Sequence, residues 1–201
     1  MNTSQTTAVV VIEMQNDLCS PSLTSSRGLS GALARAVESR GVIERLQRVL
    51  ADARARGIHV MYATKERHPG IPLPSYPKIY AAAGGDAKLV HGTWGADVVD
   101  GLKPEPADVV LPRFTSIDPS HGSELWAVCE RLGVERLALA GISTSFAVEG
   151  TARGAANRGY RVVVLEDCCA GVPDEWHRFS VENILPLIAE VTTSDIFIAS
   201  L

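Results

Sequence analysis

The sequence has little excess positive charge, no long apolar run and no paired-cysteine motif. Nineteen Lys and Arg stand against 23 Asp and Glu, a net charge of −4 with the signs interspersed. That balance argues against nucleic acid or an anionic membrane surface as the main partner. No apolar stretch approaches the ~20 residues of a membrane span. The longest early run, Ala8 to Ile12, stops at Glu13 and follows uncharged residues, so it reads as a strand and not as a secretory leader. The four cysteines, Cys19, Cys129, Cys168 and Cys169, show neither CxxC spacing nor the density of a disulfide scaffold. Reduced thiols and a cytoplasmic location are therefore expected. Lysine is scarce: Lys65, Lys78, Lys88 and Lys103 are the full set, and none follows Lys103.

What is present fits one domain over residues 1–201. Hydrophobic residues make up 46% of the chain and charged residues 21%, and a chain this long can bury roughly 70% of its unfolded surface. Apolar β-branched runs at 8–13, 58–63, 108–111, 136–140, 161–166 and 191–193 predict strands. Helices are expected over 42–56, closed by Gly57, and over 122–132, 144–158 and 174–188, with a final turn capped by Ser194. Residues 68–106 carry six of the eleven prolines and read as mostly loop, a length that often serves function or another chain. Strands that do not alternate, separated by helices, imply a sheet covered on both faces. The expected fold is α/β: a three-layer α/β/α sandwich on a six-stranded, mostly parallel sheet.

Ligands in such sheets bind beyond the carboxyl ends of the strands, here at residues 13–17, 111–116 and 141–147. Glu13 is a carboxylate at the tip of a buried strand, a candidate general acid or base or else a structural hydrogen-bonder. Gln15 borders the same site, while Asn16 and Asp17 are turn-shaping residues. Gly141-Ile142-Ser143-Thr144-Ser145 enters a helix, and its amides could face a developing negative charge or simply be capped.

Three segments together resemble the isochorismatase-like, or cysteine hydrolase, superfamily: VVVIEMQNDLC near the N-terminus, GTWGADVVDGLKP at 92–104 and AGISTSFAVEGTARGAANRGYRVVVLEDCCAG at 140–171. The resemblance implies a Rossmann-like α/β fold, a homodimer or higher homo-oligomer, and hydrolysis by an Asp, a Lys and a Cys. Those three positions fall on Glu13, Leu111 and Ala147, so all three have changed. Ala147 cannot attack a substrate, which excludes covalent thiol chemistry at the usual place. The resemblance maps the oxyanion amides to Ser143 and Ala147 and a non-prolyl cis peptide to Ile142–Ser143.

The expected activity is hydrolysis of a small anionic metabolite, with Glu13 as acid/base and Arg113, which as an arginine holds its proton, as an anchor for a substrate carboxylate. Trp94, Phe114 and Phe146 are candidate apolar walls. Cys19 is a candidate relocated thiol, weighed against ordinary burial. Glu66 and His68 are spaced like part of a metal motif, but no second His precedes His91, so neither metal nor cofactor is expected. Two alternatives stand beside hydrolysis: a non-catalytic member kept for binding or assembly, and a repurposed lyase or isomerase.

Overall fold

A computed structural model describes residues 6–72, 77–79 and 88–201. Part of the proline-rich stretch expected to meet another chain lies outside the described residues. Six strands form one sheet: β1 (Thr7–Ile12), β2 (His59–Lys65), β3 (Val109–Arg113), β4 (Arg136–Ile142), β5 (Arg161–Ala170) and β6 (Glu190–Thr192). Their order is β3-β2-β1-β4-β5-β6, and every neighbouring pair is parallel. The expected mostly parallel sheet is thus wholly parallel.

Alternation along β1 shows why both faces need cover. Val9 and Val11 belong to one core, packed under α2 (Gly28–Ser39), α3 (Val42–Ala55) and α7 (Ser194–Ser200). Ala8, Val10 and Ile12 belong to the other, packed under α4 (Leu125–Arg131) and α5 (Glu149–Ala156). With both faces buried, β-branched residues occupy successive positions and no polar alternation survives. Two further helices, α1 (Asn16–Cys19) and α6 (Asp174–Phe179), complete seven among the described residues. None is long and apolar enough to cross a membrane.

The differences from expectation have physical causes. Helix α2 went unread because two glycines and two serines dilute its apolar stripe, in which Leu33 and Val37 stand one turn apart. The helix expected over 144–158 begins with a wider π turn, Thr144–Val148. The one expected over 174–188 passes into a π turn and then a 3₁₀ turn, Leu185–Leu187, where Pro186 has no amide to continue an α-helical ladder. Strand β5 runs four residues past its expected end through an irregularity in its pairing with β4, which takes Cys168 and Cys169 into the sheet.

The strand order reverses direction between β1 and β4, and a crevice opens beyond the carboxyl ends of strands at such a switch point. Gly141 sits there, next to Ile12 in the ladder. Its φ is +120°, and an added Cβ would lie 2.1 Å from the Ile12 carbonyl oxygen. Backbone cannot move aside as a flexible side chain can. Gly141→Ala is therefore expected to lower the unfolding free energy by more than about 2 kcal/mol, measured by urea denaturation.

Candidate active site

Three adjacent strand ends deliver the charged groups. The Glu13 amide donates to the Ala63 carbonyl at 3.0 Å, continuing the β1–β2 ladder by one rung. The chain then turns sharply, since Glu13 has φ +52°. This left-handed conformation costs a non-glycine residue roughly 1–2 kcal/mol. Register places Lys65, the last residue of β2, directly beside Arg113, the last of β3.

Arg113 is 1% exposed, and its guanidinium is committed to the protein. Nε donates to the Ser116 carbonyl at 3.1 Å and Nη1 to the Thr64 carbonyl at 3.3 Å. Nη2 donates to the Ile117 carbonyl at 2.9 Å and pairs with Glu13 Oε1. A bidentate grip on a substrate carboxylate needs two parallel donors, and here those donors already hold β2, the 116–117 loop and Glu13. The substrate anchor expected of Arg113 is thus replaced by an internal brace.

A cavity of about 70 Å³ lies at this edge of the sheet, room for about two waters or one carboxamide-sized group. Glu13, Lys65, Ser143 and Ala147 line it, with Leu18, Leu29, Leu33, Leu89, Ile117, Ile142 and Phe146 among its apolar walls. The side chain of Glu13 is 13% exposed. Ser143 and Ala147 border the first turn after β4, and the Ile142–Ser143 peptide is cis. Thr144 faces away from the cavity: it is fully buried, and its Oγ1 hydrogen-bonds His177 Nδ1 at 2.8 Å.

The remaining candidates fall elsewhere. Leu111 lies in the core with Ile12 and Ala63. Gln15 is buried behind the site, where its side chain staples Lys65: the Lys65 amide donates to Oε1 at 2.8 Å and Nε2 donates to the Lys65 carbonyl at 2.8 Å. Nε2 also donates to the Ala96 carbonyl at 2.6 Å. Asn16 and Asp17, expected to shape a local turn, instead tie it to the 89–94 segment: Asn16 Nδ2 donates to the Trp94 carbonyl and the Leu89 amide donates to Asp17 Oδ2. Trp94 is 54% exposed and stands off the cavity. Phe114 packs its edge against His68 and His91. Of the three aromatic candidates, Phe146 lines the cavity, backed by Trp176 at 6.2 Å between ring centroids.

No thiol lines the cavity. Cys19 is buried in the core and donates to the Gln15 carbonyl, and burial pushes its thiol up to about 12. Burial also raises Cys129 to about 11 and Cys169 to about 12, and raises Cys168 as well. Thiolates are the reactive form, so these four stay inert near neutral pH. Glu66, paired in expectation with His68, instead meets His91 Nδ1. No group of three or more metal-ligating side chains occurs among the described residues.

Lys65 is the residue that sequence reasoning missed. The strand was expected to stop at Ala63, which left Lys65 in a loop; two more rungs of ladder bring it to the cavity. Burial lowers its ammonium to about 8, with Arg113 and Arg67 adding to the drop and Glu13 opposing it.

Strand order and switch-point crevice define a Rossmann-like α/β protein with a cavity at its strand ends. The isochorismatase domain model matches residues 7–196, and the chain belongs to the isochorismatase family of hydrolases. It is 32% identical over 200 residues to ureidoacrylate amidohydrolase RutB of Methylobacterium radiotolerans, covering 89% of this chain and 73% of that protein. The crystal structure of an isochorismatase family protein from Desulfovibrio vulgaris superposes with a TM-score of 0.81 at 25% identity, over 98% of each chain. N-carbamoylsarcosine amidase from Thermoplasma acidophilum gives 0.72 at 24% identity, over 94% and 96% of the two chains.

Two expectations follow from the geometry. Arg113→Met would strand the Glu13 carboxylate and three carbonyls, so a loss of about 3–5 kcal/mol in unfolding free energy is expected, with Arg113→Lys retaining part of it. His177 supplies a pH test. Burial, with Arg40 adding and Asp174 opposing, holds its imidazole down to about 4, so it is neutral in the fold and charges more readily once unfolded. Its contribution is complete above pH 6.5 and is lost as pH falls toward 4. Unfolding free energy should decline across that window, and His177→Gln should flatten the slope between pH 6.5 and 5.

Proposed function

We propose that the protein hydrolyses a small anionic metabolite with no cysteine nucleophile, using the Glu13 carboxylate as its general acid/base. The single observation that carries this reading is that Glu13 and Ala147 line one cavity with no thiol between them. Water must then attack directly, and a carboxylate beside the reacting carbon is the group that can take its proton. In this reading the amides of the turn at Ser143 and Ala147 meet the negative charge developing on the substrate oxygen.

Size and lining narrow the substrate. A cavity of about 70 Å³ with mostly apolar walls takes in the reacting group alone, and the remainder of the molecule lies outside it. A planar ureido, carboxamide or enol-ether group fits that description. The amidohydrolase named among the relatives supports the first two.

Turnover of ureidoacrylate, nicotinamide, isochorismate and small ureido acids at neutral pH tests the proposal, with ammonia or product release as the readout. Glu13→Gln keeps the shape of the side chain and is expected to lower kcat by about 10²–10⁴ on whichever compound turns over. Unchanged turnover in that variant would remove Glu13 from the mechanism.

A further inference from the structure

Direct attack by water leaves a second requirement, because the departing nitrogen or oxygen needs a proton. Arg113 cannot give one up, and its donors are already taken by Ser116, Thr64, Ile117 and Glu13. Ala147 has nothing to give, and the four cysteines are buried outside the cavity. Among the described residues, the ammonium on the cavity wall is that of Lys65.

Its placement is built, not incidental. The last residue of a strand is a fixed point, and this one is held on both sides of its peptide by the Gln15 amide, itself buried and tied to Ala96. Arg113 stands beside it in register and Glu13 lines the same cavity. The strand ends thus divide the labour between two cations: one held in the protein to brace the carboxylate, one lining the cavity.

We propose that Lys65 is the proton donor of the site and works as the partner of Glu13, a role that rests on the hydrolytic reading above. Water oxygen bonds to the substrate carbon as the C–N or C–O bond breaks. The water proton goes to Glu13, and the Lys65 ammonium gives its proton to the leaving atom. Return of the proton from Glu13 to the Lys65 amine restores both groups, so the net change is addition of water across the cleaved bond. The lowered ammonium, near 8, suits this duty: it is still mostly protonated at pH 7 yet is a better acid than an exposed lysine. Charged groups acting on it among the described residues include Glu13 just past β1, Arg113 at the end of β3 and Arg67 just past its own strand.

The test has two arms. Competitive labelling of the wild-type protein with trace acetic anhydride across pH, read by peptide mass spectrometry, should give Lys65 a midpoint near 8, moving lower in Glu13→Gln as the opposing charge is lost. A midpoint at the ordinary 10 or above would overturn the proposal without any substrate. In the turnover assay, Lys65→Met should lower kcat by about 10²–10⁴ with KM changed less than about threefold. Lys65→Arg, which keeps the charge and bulk, should not rescue it. The alkaline limb of the wild-type pH profile should be centred near 8. If Lys65→Met keeps its kcat while Glu13→Gln loses it, the role of Lys65 falls and the hydrolytic reading stands. If both keep it, or wild type turns over none of the compounds, both readings fall together. Labelling of the native protein decides the matter should Lys65→Met fail to fold.

Discussion

The buried ion pair between Glu13 and Arg113 is the constraint on which the site depends. It joins the end of β1 to the end of β3 across the intervening β2, and through the other Arg113 bonds it fixes the 116–117 loop. Two charges withdrawn from water are tolerated only when their remaining hydrogen-bonding capacity is met, and here backbone carbonyls meet it on the arginine side. The brace holds the Glu13 carboxylate in one place at the wall of an apolar cavity. A residue in the left-handed region, at a strand tip, needs such a partner to stay where the chemistry requires it.

On the hydrolytic reading proposed here, alanine at position 147 removes covalent thiol chemistry and leaves the rest of the site to act. Glu13, Ser143 and Ala147 line the cavity, and all four cysteines are buried outside it. The mechanism proposed here has no covalent intermediate. A mechanism of direct hydration asks for a base, an acid and a place for negative charge, and the strand ends supply candidates for each. Apolar walls strengthen those electrostatic interactions by excluding competing water.

The sheet was legible because its strands are buried on both faces, which writes uninterrupted β-branched runs such as AVVVI into the chain. The ends of β1, β3 and β4 were legible from that pattern, whereas the end of β2, which carries Lys65, was not. Side-chain roles were less legible, for reasons visible in single residues. Arg113 and Lys65 are both cations at strand ends, and nothing local says which one lines the cavity and which is tied into the core; register with Thr64 and the 116–117 carbonyls decides it. Cys19 lies six residues from Glu13 in sequence but on the far side of a short helix, in the core. Trp94 and Phe114 carry the composition of a binding wall, yet their loops turn them outward or against histidines.

Intact-protein mass spectrometry on samples quenched during turnover tests hydrolysis without a covalent intermediate most directly. Direct attack by water predicts the unmodified mass of the chain at every time point, alone or with noncovalently retained product. A transient adduct carrying part of the substrate, on any residue, would contradict it.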